Sequence, residues 1–256
     1  MIKIVISGIS GKMGERIGVL ASQDKNFEIA GAIEVFSSPA IGKDIGELLA
    51  IGKINKKIET DFNKIAPFCD VLIEFTACSA TLEHLEIAVK NKKAIVIGTT
   101  GFSKDEVEKI KNASKKIPIV FSPNMSIGAN LMFEITEEIA KALGEDYEAE
   151  IIEAHHNQKK DAPSGTAKRL GEAVSKVKGK MPQIHSVRLG DIVGDHTVIF
   201  AGIGERIELT HRAHSRDAFA KGALDAAKFL IGKQPGLYTM ADVIGRGIKM
   251  GFEFTD

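Results

Sequence analysis

The sequence predicts an α/β protein: a Rossmann-like doubly wound parallel sheet, with a second mixed α/β domain that carries an open sheet. Three observations lead there. Short apolar runs rich in β-branched residues alternate with helical patterns through the first half of the chain, as in a parallel sheet covered on both faces. A glycine-rich turn, Gly8-x-x-Gly11-x-x-Gly14, joins the first of these runs to the first helix. Beyond about residue 147 the pattern changes, and strand candidates follow one another with fewer helices between them.

The elements follow in order. Residues 2–7 form a near-continuous apolar run that suits a strand buried on both faces. Met13, Ile17 and Leu20 recur with helical spacing after the glycine turn, and residues 27–34 read as the second strand. Residues 70–75, 94–98 and 118–122 read as further strands, with a helix over 80–90. Ser103 and Glu106 are spaced as a capping box that opens a helix to about residue 116. Residues 126–143 read as a long helix, with Leu131, Ile135, Ile139 and Leu143 along one face.

In the second half, strands are expected over 147–154, 186–189, 197–203 and 206–210, with a hairpin turn at 202–205. Helices are expected over 167–177 and 215–231, the second stopped by Gly232. The tail, 240–254, is too short for a domain and must pack on what is already built. The division expected is a dinucleotide-binding domain, 1–125 plus 236–256, and a substrate-binding and oligomerisation domain, 126–235.

Composition narrows the function. The chain is 44% hydrophobic and 27% charged, the range of globular enzymes rather than disordered chains. Its formal net charge is zero, so no basic face is implied and neither nucleic acid nor an anionic membrane is expected as a partner. The two cysteines, Cys69 and Cys78, are too few for a disulfide framework and lack zinc-site spacing, so both are read as ordinary buried or half-buried thiols. No signal peptide is visible and no apolar run reaches the roughly 20 residues that span a bilayer. The expected location is the cytoplasm.

Two regions carry chemistry. The glycine turn permits close approach of the backbone to a pyrophosphate at a helix N-terminus; a plain strand–helix turn uses glycine as well. Glu34 tips the reading. It ends the second strand about 20 residues beyond Gly14, where an acidic side chain accepts hydrogen bonds from the adenosine ribose. The loops 98–101 (Gly-Thr-Thr-Gly) and 122–125 (Ser-Pro-Asn-Met) follow later strands, at the edge where such sheets bind ligands.

The second region is Glu153-Ala-His-His-Asn-Gln-Lys-Lys-Asp-Ala-Pro-Ser-Gly-Thr-Ala167, a loop between a strand and a helix. His155 is suited to proton transfer near neutral pH, and Lys159 is a cation four residues on. The helix start at Ser164-Gly165-Thr166 offers backbone N–H groups to an anion. A small acid, with more than one carboxylate, is the implied ligand. The alternatives at this point are a solvated polar loop, or a two-histidine metal site that drafts Glu153 or Asp161 as third ligand.

The motifs Gly8-x-x-Gly-Lys-Met-Gly14, Gly98-Thr-Thr-Gly-Phe102, Ser122-Pro-Asn-Met125 and Glu153-Ala-His-His-x-x-Lys-x-Asp-Ala-Pro-Ser-Gly-Thr-Ala167 resemble the set found in the 4-hydroxy-tetrahydrodipicolinate (dihydrodipicolinate) reductase family. The resemblance runs from residue 2 to near the C-terminus. It implies hydride transfer from NADH or NADPH to 4-hydroxy-tetrahydrodipicolinate with loss of water, on the diaminopimelate route to lysine. It also implies His155 as proton donor and acceptor, Lys159 as proton donor, and His156, Gly165 and Thr166 on the substrate. The cofactor would be lined by Gly8, Ile9, Ser10, Gly11, Lys12, Met13, Glu34, Gly98, Thr99, Thr100, Ser122, Pro123, Asn124 and Met125, with no metal. A homotetramer built through the sheet of the second domain, and closure of the two domains around the ligands, are implied as well.

One departure bears on the cofactor. Many members carry Arg or Lys just after the acidic residue, where it meets the 2′-phosphate of NADPH. Val35 and Phe36 stand here instead, so NADH is the expected preference, slight if Lys12 serves a 2′-phosphate. The segment 210–216, with His211, His214 and two arginines, reads either as a substrate-facing support or as a polar loop capping a helix at Ser215, and is left outside the site. Three other readings stay in view: a non-catalytic dinucleotide sensor, a metal-dependent hydrolase, and an oxidoreductase of the semialdehyde dehydrogenase kind. The last needs a nucleophilic cysteine, and neither cysteine has a His or Lys beside it in sequence.

Overall fold

The computed structural model describes residues 1–245. The first sheet is built from β1 (Ile2–Ser7), β2 (Phe27–Ile33), β3 (Ile58–Glu59), β4 (Val71–Glu74), β5 (Ala94–Ile97), β6 (Pro118–Phe121) and β11 (Gly236–Tyr238). All seven run parallel, in the order β11-β6-β5-β4-β1-β2-β3. Between them lie α1 (Lys12–Gln23), α2 (Ile45–Leu48), α3 (Cys78–Lys90) and α4 (Lys104–Ser114). The rest of the chain adds α5 (Ile127–Leu143), β7 (Glu148–His155), α6 (Gly165–Lys178), β8 (Gln183–Arg188), β9 (Gly194–Gly202), β10 (Glu205–Ala213), α7 (Asp217–Leu230) and α8 (Met240–Ile244).

Alternation along the strands sorts the core of the first sheet into two layers. Ile4, Ile6, Val71, Ile73 and Val96 pack with Ile17 of α1 and Ala223 and Ala227 of α7. Val5, Leu72, Ile95 and Ile97 pack with Leu85 and Ala88 of α3 and Ile110 of α4. Both faces are therefore apolar, which is why the strands read as continuous hydrophobic runs. The capping box at Ser103 and Glu106 forms as expected.

β7, β8, β9 and β10 make the second sheet, ordered β10-β9-β7-β8, with β7–β8 parallel and the other two pairs antiparallel. One face is covered by α5 and α6: Ile151, Val198 and Phe200 pack with Met132, Phe133 and Leu170. The other face is open, and Ile152 and Val187 stand on it, each 41% exposed. α7 leaves this half of the chain and packs on β4, β5, β6 and α1 of the first sheet, and β11 adds to that sheet's edge. Arg16 of α1 grips Asp217 of α7 bidentately at 2.7 and 2.9 Å.

Several expectations change in detail. The Leu131, Ile135, Ile139 and Leu143 stripe of α5 is only half-buried; its deeply buried face is Ala129, Met132, Phe133, Thr136 and Ala140. Met132, Phe133 and Ala140 of that face pack with Ala167, Leu170 and Val174 of α6. The strand expected over 206–210 continues to Ala213, because it pairs with β9 along its whole length. Residues 210–213 are thus sheet, not loop. The stretch 35–69, for which the sequence offered no reading, holds α2 and β3; buried Asp44 organises it by accepting N–H bonds from Gly46, Glu47, Ile54 and Lys56. The expectation for the tail falls, past α8, outside the described residues, as does the 246–256 part of the first domain. Cys69 is buried and Cys78 half-buried, both free. No helix of the described residues is long and apolar enough to cross a membrane.

Candidate active site

β1 and β4 are neighbours from which the chain departs in opposite directions, so their carboxyl ends open a crevice. The glycine turn lies there. Gly8 has φ +74°, and a Cβ on it would stand 3.0 Å from Thr76 Cγ2; a Cβ on Gly14 would fall on the Gly8 carbonyl oxygen. Both glycines are needed to form the turn. Gly11 caps α1 without a side-chain acceptor, which leaves its first N–H groups for a ligand. Glu34, just beyond β2, bends over the turn: its Oε1 accepts from the Ser10 N–H at 2.8 Å and from the Ser10 hydroxyl. Together they line a cleft of about 710 Å³ with Thr76, Ala80 and the exposed Val35 and Phe36. A bare glycine floor, uncapped helix donors and a carboxylate acceptor fit a dinucleotide.

The other expected cofactor residues divide. Ile9 is wholly buried in the core, and its side chain does not reach the cleft. Lys12 lines a different cleft, of about 590 Å³, with Arg16, His156, His214 and Arg216. Thr99 is buried and holds neighbouring loops together, accepting from the Thr76 N–H at 3.1 Å and the Thr81 hydroxyl at 2.9 Å. Gly98 is tight against Phe75, where a Cβ would fall inside the ring. The Ser122 hydroxyl donates to the Asn124 carbonyl at 2.8 Å. Pro123 and Asn124 stand where two clefts meet: one of about 300 Å³ with Met13, Gly98, Met125 and His196, the other of about 460 Å³ with Thr100, Lys159, Gly165 and Arg169. His155 and Thr166 line both.

His155 is the last residue of β7, and its Nδ1 lies 2.5 Å from Oε2 of Glu153. Glu153 is fully buried. It takes both arms of Arg188, at 2.9 and 2.8 Å, and the Ser164 N–H at 3.2 Å. Burial alone would push the Glu153 carboxyl up; hydrogen bonds from Arg188, Ser186, His155 and Ser164 outweigh it and hold the group at about 2. Glu153 is therefore an anion, and His155 Nδ1 must carry the proton between them. Burial lowers the His155 pKa, against the pull of Glu153. The resting imidazole is neutral, with a lone pair on Nε2 beside Gly194. The ring stands edge-on to that of His196, 5.2 Å between centroids, and burial pushes His196 down to about 3.

Ser164 caps α6 by accepting from the Ala167 N–H at 3.1 Å, so the N–H groups of Gly165 and Thr166 have no partner inside the helix. Nothing lies within 4 Å of a Cβ built on Gly165; the space before it is cleft. Thr166 Oγ1 accepts from Asn124 Nδ2 at 3.1 Å, tying the two halves of the molecule. Lys159 pairs with Asp161 at 2.8 Å. His156 is not brought to this cleft. It follows the end of β7 and faces the Lys12 and Arg16 cleft. The two histidines therefore cannot chelate one ion.

Comparison with known proteins fits this geometry. Residues 2–125 match the family model "Dihydrodipicolinate reductase, N-terminus" and residues 128–244 match "Dihydrodipicolinate reductase, C-terminus". The chain belongs to the dihydrodipicolinate reductase family. It is 48% identical to a 4-hydroxy-tetrahydrodipicolinate reductase of Aquifex aeolicus, over 95% of this chain and 99% of the relative. It is 44% identical to that of Syntrophus aciditrophicus, over 96% and 99%. A dipicolinate-bound dihydrodipicolinate reductase from Paenisporosarcina superposes with a TM-score of 0.79 at 25% identity, over 95% of this chain and 99% of that one. An amine dehydrogenase from Mycobacterium smegmatis shares the fold, with a TM-score of 0.64 at 13% identity over 93% and 95%.

The sequence reading of this reductase-family chain missed four residues around His155. Glu153 was noticed only as a possible metal ligand. Arg188 is the register partner of His155 across β7–β8, and His196 that of Glu153 across β7–β9; only strand pairing brings them in. His211 comes from the 210–216 segment set aside earlier: it lines the 300 Å³ cleft and its Nε2 lies 3.4 Å from Ser126 Oγ. The signal for it was present in the histidine-rich run, but its extension of a strand was not.

Proposed function

We infer that this chain is a 4-hydroxy-tetrahydrodipicolinate reductase: it uses NAD(P)H to reduce 4-hydroxy-tetrahydrodipicolinate to tetrahydrodipicolinate, with loss of water, in lysine biosynthesis via diaminopimelate. The observation that carries the reading is the convergence of His155, Thr166 and Asn124 where the two clefts meet, one running toward the glycine-turn loops and the other toward Lys159 and the α6 start.

The bound cofactor supplies a hydride. Residues Gly8 to Met13, Glu34, Gly98 to Thr100 and Ser122 to Met125 would hold it, the glycine turn by its backbone and Glu34 by accepting from ribose hydroxyls. The rest of the reaction is proton traffic, and this chain's own side chains manage it. His155 Nε2 takes up and returns a proton on the substrate ring, while Glu153 fixes the imidazole tautomer and orientation. Lys159, paired with Asp161 at 2.8 Å, is the proton donor to the departing hydroxyl. The unpartnered N–H groups of Gly165 and Thr166 receive one substrate carboxylate. His156 reaches the substrate only if the clefts close on one another, which is the domain closure the family resemblance implies.

NADH is the preferred cofactor in this reading. Glu34 repels a 2′-phosphate, Val35 is 67% exposed beside it, and the lining of the glycine-turn cleft contains neither Lys nor Arg among the described residues. Lys12 faces another cleft. Among the described residues, 1–125 with 236–245 are read as the cofactor unit and 126–235 as the substrate unit, with α7 of the latter lying on the former. The open face of the second sheet, with Ile152 and Val187 exposed on it, supports a homotetramer joined through that sheet.

The test is consumption of NADH with substrate made in situ from pyruvate and aspartate semialdehyde by the preceding synthase. Substrate-dependent oxidation is expected. Tight NADH binding without oxidation would replace the reductase by a dinucleotide sensor.

A further inference from the structure

Two cations line the substrate cleft among the described residues, and one of them is matched with a carboxylate: Lys159 pairs with Asp161. Arg169 lines the same 460 Å³ cleft as Lys159, Gly165 and Thr166. Its guanidinium lies 4.4 Å above the Phe133 ring, and its Nη1 reaches only Asn130 Oδ1, at 3.5 Å. No carboxylate of the described residues holds it in an ion pair; Glu172, which lines the same cleft, and Glu134 act on it without contact. Stacking on an aromatic face fixes such a group while leaving its N–H fork available.

Position makes the cation useful. Gly165, Thr166 and Arg169 are spaced four and three residues apart on α6, so they share one helical face. The Arg169 side chain starts about one helical turn, roughly 5.4 Å, beyond the uncapped N–H groups. That is comparable with the separation of two carboxylates on one six-membered ring. A planar fork also matches a carboxylate bidentately, which a backbone N–H pair at the other end does not duplicate.

We propose that Arg169 is a specificity-determining residue that receives the second carboxylate of the substrate, opposite the carboxylate held at the start of α6. The proposal rests on the dicarboxylate reading of the cleft. It explains why a half-buried guanidinium is kept there without a protein anion, and it makes the cleft select dicarboxylates over monocarboxylates.

The experiment compares wild type, Arg169→Leu and Arg169→Lys in inhibition by pyridine-2,6-dicarboxylate and by pyridine-2-carboxylate, at fixed NADH. Arg169→Leu is expected to raise the inhibition constant of the dicarboxylate about 10- to 100-fold, the loss of a charge-assisted hydrogen bond, and to leave that of the monocarboxylate unmoved. Arg169→Lys should recover part of the loss, and the substrate KM should rise with little change in kcat. General damage to the fold moves both inhibitors together, so the ratio of the two constants is the readout. An unchanged ratio in an enzyme that turns over its substrate overturns the role of Arg169 alone. Wild type without turnover overturns the substrate reading, and this proposal with it.

Discussion

Glu153 and His155 lie two residues apart on one strand, so their side chains share a face of the sheet, and Oε2 meets Nδ1 at 2.5 Å. The carboxylate is anchored from behind by both arms of Arg188. The imidazole is thus oriented by a fixed anion and keeps a lone pair toward the cleft. This pairing generates the first predictions.

Arg188→Met should be costly. It leaves the fully buried Glu153 charge without its bidentate partner, a loss of about 3–5 kcal/mol of stability. Urea unfolding measures it. A loss below about 1 kcal/mol, the range of surface pairs, would show that Glu153 is not ionised as described.

Acid should destabilise the fold in two stages. His196 is lowered from 6.5 to about 3, so the unfolded chain binds the proton first. Its stability contribution is full above about pH 6.5 and declines below, by up to about 1.4 kcal/mol per pH unit per proton. Glu153, lowered from 4.5 to about 2, contributes above about pH 4.5 and is lost as pH falls toward 2. The slope of Tm between pH 6.5 and 5 should flatten in His196→Gln; the same slope in the variant would contradict the buried neutral histidine.

Gly165→Ala separates fold from function. A Cβ there meets nothing within 4 Å, and alanine suits a first helical turn. Tm should stay or rise slightly while the substrate KM increases, because the methyl group enters the space of the carboxylate. Thr166→Val should likewise act chiefly on KM. Unaffected binding in both would remove the α6 start from the site.

The proposed NADH preference turns on Val35. Wild type should have the higher kcat/KM with NADH, and Val35→Arg should raise kcat/KM for NADPH by about 10-fold, a gain of one exposed charge-assisted contact. A wild-type preference for NADPH would require a 2′-phosphate site elsewhere than the cleft beside Glu34.

Much of this fold is legible in the sequence. Parallel strands covered on both faces announce themselves as apolar runs, so β1, β4, β5 and β6 were found within a residue or two. The glycine turn and Ser164-Gly165-Thr166 were legible because their chemistry is local in sequence. Arg188, His196 and His211 were not, because what matters is which strand lies beside β7 and β9 and in what register. The stripe of Leu and Ile along α5 was legible, but not that it stays half-buried while Ala129, Met132, Phe133, Thr136 and Ala140 go deeper. His156 shows the limit in the opposite sense. It stands beside His155 in sequence and faces a different cleft.

The most direct test of the account is steady-state kinetics of His155→Gln. The predicted result is a kcat lower by about 10²- to 10⁴-fold, the contribution of a positioned general acid–base group, with KM little changed. An unchanged kcat would contradict the assignment of proton transfer to the His155–Glu153 pair.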